Sequence, residues 1–252
     1  MRKIQSRFLI PNGFTALSMF FGLSSIAASA ESNFVLAAWM IVWGVLLDKL
    51  DGTSARLLNA CSEFGVEFDS FADFVVFGMA PAALVYFRLS QMAIFQEKWH
   101  TWMMAGVSLY AIATAVRLAR FNIVDPPDGD RFFHGIPTTV CGGFIGLLFL
   151  VWDSQGLPVA MLQAFPIIMV TCAVAMVSNI RLSKLKSHKR LSLNLIQGSS
   201  LAAAFVLAPL MLLPEFLLGL EISYVSIGLV WGFASGRERD VVDVDADEPR
   251  IA

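Results

Sequence analysis

The sequence predicts an all-α, polytopic integral membrane protein with about eight transmembrane helices. Of its 252 residues, 57% are hydrophobic and only 15% are charged, and the mean hydropathy is +0.68. Soluble domains usually carry about 25% charged residues. The apolar residues fall in repeated runs of about 20, the length that a helix needs to cross a bilayer. Backbone polar groups in lipid must be paired within their own segment, so these runs predict helices.

Eight apolar runs follow one another along the chain, separated by polar or charged segments. They are predicted at about 9–30, 34–58, 66–90, 101–122, 135–153, 160–180, 194–213 and 215–235. A polar bend separates the second run from the third, and Pro214 divides the last two. The first run resembles a signal peptide, because basic residues precede it and small residues end it. Because it is long and many further spans follow, we expect it to be retained as an anchor.

The segments between the runs are too short for a separate soluble domain. Residues 1–236 are therefore predicted to form one membrane domain. The remaining segment, 237–252, is acidic and lacks aromatic residues, so it is predicted to be a disordered cytoplasmic tail.

Lysine and arginine are distributed unevenly between the two ends of the predicted helices. With the N-terminus in the cytoplasm, the outer side receives only Arg88 and Lys98, and every other basic residue falls inside. The positive-inside rule therefore predicts a protein of the cell (inner) membrane with both termini in the cytoplasm. The basic run Arg181–Arg190 is interpreted as an ordinary inner loop, with an anionic-lipid site as the alternative. A net charge of -2 does not favour a nucleic-acid partner.

Four aspartates stand at the inner ends of the second and third predicted helices. Asp48 and Asp51 are three residues apart, and Asp69 and Asp73 are four apart, so each pair shares one helical face. The bend Asn59–Gly65 lets the two helices run antiparallel and brings the pairs together. Converging carboxylates near lipid are tolerable only when cations neutralise them. Hard oxygen ligands favour Mg²⁺ or Mn²⁺ over Ca²⁺.

The residues next to the first aspartate pair suit a phosphate ligand. Gly52 and Ala55 leave a shallow trough on the same side of the helix. Arg56 closes this trough with a planar guanidinium that matches phosphate oxygens. Two divalent metals together with an arginine form a clamp for a pyrophosphate in phosphoryl transfer. Because these residues stand at the inner ends of the predicted helices, the active site is predicted on the cytoplasmic side.

The spacing of these residues resembles the signature D-x2-D-G-x2-A-R-x8-G-x3-D-x3-D of the CDP-alcohol phosphotransferase family. The matching residues are Asp48, Asp51, Gly52, Ala55, Arg56, Gly65, Asp69 and Asp73. The resemblance implies a helical membrane enzyme with a two-metal centre of Mg²⁺ or Mn²⁺ that releases CMP. It implies that all four aspartates contact metal and that Asp73 is also the general base.

The same resemblance implies a binding surface for the CDP-linked substrate. Gly52 and Arg56 would hold the nucleotide diphosphate, with Ala55 and Gly65 beside them. Ser62 stands where the family often has a further polar contact with the nucleotide. Asn12 and Thr15 resemble the polar opening of the family's first helix, which lines the same pocket.

The wider pattern is similar to the phosphatidylserine synthase branch of this family. The similarity runs from about Pro11 to Arg190 and includes the segments RLARFNI, HGIPTT and MVSNIRLSKLK. It departs from the commoner loop pattern at Thr139, which replaces a second proline. The branch implies CDP-diacylglycerol and L-serine as substrates, phosphatidylserine and CMP as products, and membrane lipids as surroundings. A homodimer is expected from the resemblance alone.

The acceptor site has several candidate residues near the inner end of the fourth predicted helix. Arg117 and Arg120 are three apart and could hold the serine carboxylate or a lipid phosphate. Alternatively, both arginines extend to the aqueous interface. Asn122 could donate a hydrogen bond to the same ligand. Glu67 could receive the serine ammonium group or could be an ordinary solvated carboxylate.

Other functions explain the sequence less well. A cation-coupled transporter also carries carboxylates within the membrane, but such proteins usually have two repeated halves with broken helices. A structural scaffold leaves the aspartate cluster unexplained. The closer alternative is another acceptor, such as glycerol 3-phosphate or inositol phosphate, whose dianionic phosphate would need a denser basic patch near the metals.

Overall fold

The computed structural model describes residues 8–123, 132–184 and 191–246, which form ten α-helices and two short strands. In chain order, the elements are α1 (Leu9–Ala30), α2 (Phe34–Leu57), α3 (Glu63–Asp73), α4 (Ala80–Ser90), α5 (Ala93–Glu97), α6 (His100–Ile123), β1 (Phe132–His134), α7 (Thr138–Ser154), α8 (Phe165–Val177), β2 (Arg181–Ser183), α9 (Leu191–Leu207) and α10 (Pro214–Ala246). A π-helical segment, Phe74–Met79, joins α3 to α4, and a 3₁₀ segment, Val159–Ala164, leads into α8.

Five of the described helices are long and apolar enough to cross a membrane. These are Leu9–Ala30, Glu63–Ser90, His100–Ile123, Val159–Val177 and the Pro214–Ala234 part of α10. The prediction of a helical membrane protein is therefore confirmed, whereas the number of eight spans stays a prediction.

The other three predicted spans are also helical, but each falls short as a membrane span on its own. Helix α2 has 24 residues, but three charged residues between positions 48 and 51 lie in its last turns. Helix α7 is apolar but has only 17 residues, and the apolar part of α9, Gln197–Leu207, is shorter still. The charged residues of the predicted functional site are therefore the reason why α2 is not apolar enough to count as a membrane span.

Helices α1 and α2 form an antiparallel hairpin that packs through small and hydroxyl-bearing residues. Ser18 donates a hydrogen bond to the carbonyl of Gly44 at 3.3 Å, and Ser25 donates one to that of Ala37 at 2.8 Å. Small residues allow transmembrane helices to approach closely. The hairpin brings the polar opening of α1 next to the aspartates at the end of α2.

The π-helical segment directly after Asp73 lies at the centre of the helix bundle. The hydroxyl of Tyr110 in α6 donates a hydrogen bond to the carbonyl of Phe77 at 2.6 Å. Gly142 of α7 approaches so closely that a Cβ there would lie 2.8 Å from the Cβ of Phe77. Segments of π-helix usually occur as single turns and often near functional sites. This one fixes the end of α3, which carries two of the aspartates.

A short two-stranded ribbon is the one non-helical element in the described residues, and the sequence did not predict it. Strands β1 and β2 pair antiparallel, with Phe133 opposite Leu182. Apolar periodicity over about 20 residues cannot reveal three-residue strands, because their pairing joins segments nearly 50 positions apart.

The turn after β1 explains why α7 begins later than predicted. Gly135 has φ of +80°, and a Cβ there would collide with the carbonyl oxygen of Met176. The backbone N–H of Gly135 donates to the carbonyl of Ile180 at 2.8 Å. Because this turn and Pro137 are not helical, α7 starts at Thr138 rather than at 135.

The last helix is longer than predicted. Helix α10 packs against β2 through glycines: a Cβ at Gly232 would collide with the carbonyl of Arg181. The helix continues to Ala246, ten residues beyond the predicted end of the membrane domain at 236. Disorder stays a prediction for the rest of the acidic tail, and residues 247–252 lie outside the described residues, as do 185–190 of the predicted basic loop.

Candidate active site

Three aspartates meet where the end of α2 faces α3. One carboxylate oxygen from each of Asp48, Asp51 and Asp69 lies within 4.8 Å of the other two. Asp51 is only 5% exposed, and the other two are partly buried. Carboxylate oxygens are the ligands that hard divalent cations prefer. This donor set therefore fits a divalent metal ion.

Asp73 completes the set of four carboxylates from one turn further along α3. It lies within hydrogen-bonding reach of Asp48, just as Asp69 lies within reach of Asp51. This crosswise pairing is the geometry predicted for two antiparallel helices. Asp73 lies outside the group formed by Asp48, Asp51 and Asp69. Its carboxylate is therefore the best placed of the four to contact a further bound ion or molecule. Adjacent carboxylates in a partly buried site repel each other unless a cation compensates their charge.

Thr15 of α1 orients one of the predicted metal ligands. Its hydroxyl donates to Oδ2 of Asp51 at 2.9 Å and also lies 3.2 Å from the carbonyl of Pro11. Thr15 is 3% exposed. Partners that hydrogen-bond to a ligating carboxylate fix its direction. Thr15 therefore lies in the site as predicted, but it contacts an aspartate rather than standing free for substrate.

Ser62 and Gly65 form the start of α3, and Asn12 of α1 lies against them. The backbone N–H of Gly65 donates to the Ser62 hydroxyl at 3.0 Å, so Ser62 caps the N-terminus of α3. A Cβ at Gly65 would lie 3.1 Å from this hydroxyl and 3.5 Å from Oδ1 of Asn12. A side chain at position 65 would therefore crowd both the cap and α1.

Arg56 lies above Gly52, the residue that follows Asp51 in the chain. Both terminal guanidinium nitrogens are 4.0 Å from the position that a Cβ on Gly52 would occupy. Arg56 is exposed, and Ala55 beside it is partly buried. Within the described residues, the guanidinium of Arg56 has no hydrogen-bond partner. Arg56 therefore lies over Gly52, where the sequence places it, and the binding role of the trough that it would close stays a prediction.

Arg117 is buried beside Asp73. It is 8% exposed, its guanidinium carbon lies 5.9 Å from the ring centroid of Phe121, and its charge interacts with that of Asp73. Its Nε has no hydrogen-bond partner among the described residues. The burial disfavours the alternative that Arg117 extends to the aqueous interface. A buried N–H without a partner, close enough to Asp73 for the two charges to interact, is available to an anionic ligand.

Arg120 and Asn122 have protein partners instead. Arg120 donates to the carbonyl of Val177 at 3.0 Å and to Oδ1 of Asn179 at 2.7 Å, which ties α6 to the end of α8. Asn122 donates to the hydroxyl of Ser70 at 3.0 Å, and so connects α6 to the aspartate-bearing α3. The structure therefore does not turn both arginines toward one ligand. Glu67 is exposed on α3.

Thr138 was not among the predicted site residues, although it lies within the HGIPTT segment. It is 1% exposed, and its hydroxyl lies 3.4 Å from Oδ2 of Asp73. Thr138 is the first residue of α7, so the positive end of this helix also faces Asp73. The contact depends on the turn at Gly135 within this segment and on the pairing of β1 with β2, and no local sequence pattern reveals that pairing.

The fold and the site together define a helical membrane protein with an acidic centre that could hold a metal ion, next to Gly52 and Arg56. Residues 8–177 match the CDP-alcohol phosphatidyltransferase family, and this chain belongs to that family. The matched region contains all the residues of the site described above.

Individual relatives are similar over most of the chain. A CDP-diacylglycerol–serine O-phosphatidyltransferase of Helicobacter pylori (strain 26695) is 37% identical over 190 residues, which cover 74% of this chain and 76% of the relative. The enzyme of the same name from Bacillus subtilis is 32% identical over 181 residues, 71% of this chain and 92% of the relative. A third from Mycobacterium tuberculosis (strain H37Rv) is 36% identical over 149 residues, 56% of this chain and 49% of the relative.

Proposed function

We propose that this protein is a CDP-diacylglycerol–serine O-phosphatidyltransferase, which transfers a phosphatidyl group from CDP-diacylglycerol to L-serine and releases CMP. The observation that carries the proposal is the cluster of Asp48, Asp51 and Asp69 within 4.8 Å, with Asp73 beside it. Family membership and relatives of this name at 32–38% identity support the same activity.

The aspartates are proposed to hold two divalent cations, Mg²⁺ or Mn²⁺. Bound there, the cations would neutralise the pyrophosphate and stabilise negative charge on the departing CMP. Residues of the chain orient both the metal ligands and the nucleotide diphosphate. Thr15 fixes Asp51 through a 2.9 Å hydrogen bond, and Arg56 projects over Gly52 where a nucleotide diphosphate can approach the backbone. Asn12, Ala55, Ser62 and Gly65 are proposed to shape the same binding surface.

Asp73 is proposed to accept the proton of the serine hydroxyl. The proton passes to Asp73 late, as the serine oxygen forms a bond to the β-phosphorus and the bond from that phosphorus to CMP breaks. Thr138 and the positive end of α7 hold the Asp73 carboxylate in place. Because positioned charges supply much of the stabilisation in phosphoryl transfer, the geometry of this carboxylate matters as much as its basicity.

The serine carboxylate is proposed to bind near Arg117, whose buried Nε has no partner among the described residues. Arg120 then acts by holding the inner end of α6 against α8, and Asn122 by joining α6 to α3. The proposal of serine as the acceptor therefore depends on one arginine rather than on two. The cytoplasmic orientation, the homodimer and the membrane domain 1–236 are further parts of the proposal.

A radiolabelled-serine assay with the purified protein tests the function. With CDP-diacylglycerol and Mn²⁺ or Mg²⁺, we expect label to move into the lipid phase while CMP is released in equal amount. Removal of the cation with a chelator should stop both, and its return should restore both. Label that stays in the aqueous phase, together with consumption of glycerol 3-phosphate, would show that the acceptor is different.

A further inference from the structure

An open pocket lies at the opposite end of the helices from the aspartates. Its volume is about 370 Å³, and it is lined by residues from α2, α4 and α7 and from the segment before α2. Arg88 stands in its wall, 15 positions after Asp73 on the continuous α3–α4 helix. At about 1.5 Å per residue, this places Arg88 roughly 22 Å from the site. The pocket is therefore separate from the proposed active site.

The guanidinium of Arg88 is held between two aromatic rings. Its carbon lies 5.6 Å from the ring centroid of Phe34 and 5.4 Å from that of Trp152. Cation–π contacts of this kind fix the plane of the guanidinium while leaving its N–H groups available. Among the described residues, Arg88 has no hydrogen bond or ion pair. A planar, oriented and partly buried arginine with free N–H groups suits a phosphate.

The start of α2 adds a second attraction for an anion. Asn33 precedes α2 and lines the pocket, but its side chain makes no capping hydrogen bond. The first N–H groups of a helix have no partner within the helix, and the helix dipole is positive at this end. Because Phe34 and Val35 of the first turn also line the pocket, these groups lie near the guanidinium of Arg88.

The same pocket also contains a carboxylate. Asp153 lies at the end of α7, is exposed and forms no ion pair with Arg88 or with any other described residue. The pocket thus presents a cation and an anion that are not in contact with each other. A ligand with a phosphate and an ammonium group matches both. Val35 lines the pocket and is also exposed, so an attached acyl chain can continue along the apolar outer surface.

We propose that this pocket binds a zwitterionic phospholipid head group from the leaflet opposite the active site. The phosphate contacts Arg88 and the start of α2, and the ammonium group contacts Asp153. The protein would then hold one structural or regulatory lipid in addition to its substrate.

Lipid binding to the purified full-length protein tests this proposal, with native mass spectrometry as the measurement. The probes are phosphatidylethanolamine, phosphatidylglycerol, free phosphoethanolamine and inorganic phosphate. We expect the wild type to bind one phosphatidylethanolamine more tightly than phosphatidylglycerol. Arg88→Gln should weaken this binding about tenfold, the usual value of a charge-assisted hydrogen bond. Asp153→Asn should abolish the preference between the two lipids.

Lys98→Gln is the matched control, because it removes a basic residue that is exposed at the same end of the helices but lies outside the pocket. It should bind lipid as the wild type does. Asn33→Asp is a second test that does not depend on the folding of the Arg88 variant. Aspartate caps a helix as well as asparagine does, but its charge should repel the phosphate and weaken binding to a similar degree.

Two results would overturn the proposal. Unchanged lipid binding in both the Arg88 and the Asn33 variants would show that the pocket does not bind the lipid. Binding of free phosphoethanolamine or inorganic phosphate as tightly as the lipid would make the ligand a soluble anion. Since the readout is binding and not turnover, neither result depends on the transferase activity.

Discussion

Asp69 and Asp73 have different places in the site and therefore give a paired test at the scale of single residues. Asp69 belongs to the compact group of three oxygen donors, whereas Asp73 stands beside it against Thr138. We expect Asp69→Asn and Asp73→Asn each to abolish CMP release while the protein still inserts into the membrane. The loss of Asp69 should also weaken metal binding, as measured by titration of Mn²⁺. Near-normal turnover in either variant would contradict the two-metal proposal.

Thr15 acts on the site through Asp51. Thr15→Val keeps the side-chain shape but removes the 2.9 Å hydrogen bond to the carboxylate. Outer-shell partners of metal ligands typically contribute tenfold or more to metal affinity. We expect the cation concentration for half-maximal activity to rise about tenfold, and Thr15→Ser to restore most of the loss. An unchanged cation requirement in Thr15→Val would show that Asp51 does not depend on this bond.

Arg117 and Arg120 should give different kinetic results despite their spacing of three residues. Arg117→Gln removes the buried charge beside Asp73, so the KM for serine should rise more than that for CDP-diacylglycerol. Arg120→Ala breaks hydrogen bonds to Val177 and Asn179. It should lower thermal stability and leave the ratio of the two KM values unchanged. Equal serine effects in both variants would favour the original interpretation that both arginines hold one ligand.

At the scale of elements, one side-chain hydrogen bond joins the π-helical segment to α6. Tyr110→Phe removes the 2.6 Å bond to the carbonyl of Phe77, which is buried. Leaving a buried acceptor without its partner costs about 1–3 kcal/mol. We expect a lower melting temperature in detergent and reduced turnover, because Asp73 immediately precedes this segment. Tyr86→Phe is the control, since the Tyr86 hydroxyl has no hydrogen-bond partner within the described residues. Equal melting temperatures for the two variants would argue against this role of Tyr110.

The elements also show which features a sequence can reveal. The long helices follow from apolar runs of membrane length, and the pairing of the aspartates follows from helical spacing and a polar bend. The contact of Thr138 with Asp73 could not be predicted in this way, because it depends on the turn at Gly135 and on the ribbon of β1 and β2. The same holds for Arg120, whose partners lie nearly 60 positions away in the chain.

At the scale of the whole molecule, the orientation in the membrane decides which side of the membrane each of the two sites faces. The proposed active site lies at one end of the helices, and the Arg88 pocket lies at the other. Cys61 is exposed in the bend near the aspartates, and Lys98 is exposed near the opposite end. These two positions can therefore report which end faces the cytoplasm.

Labelling with a maleimide that does not cross membranes tests this orientation. We expect Cys61 to react only after intact cells are permeabilised. Lys98→Cys, made in a Cys61→Ser background, should react without permeabilisation. The Cys61→Ser protein alone gives the background from Cys141 and Cys172. The reverse pattern of labelling would place the active site outside and contradict the distribution of lysine and arginine.

The hairpin of α1 and α2 has a consequence for the order of events during synthesis. Its hydrogen bonds from Ser18 and Ser25, and the bond from Thr15 to Asp51, all join residues within the first 57 positions. These two helices therefore emerge from the ribosome, and can pair with each other, before α3 emerges. Two aspartates are then already in position, but the third and fourth arrive only with α3. The proposed cation site can therefore be completed only after α3 has emerged and packed against this hairpin.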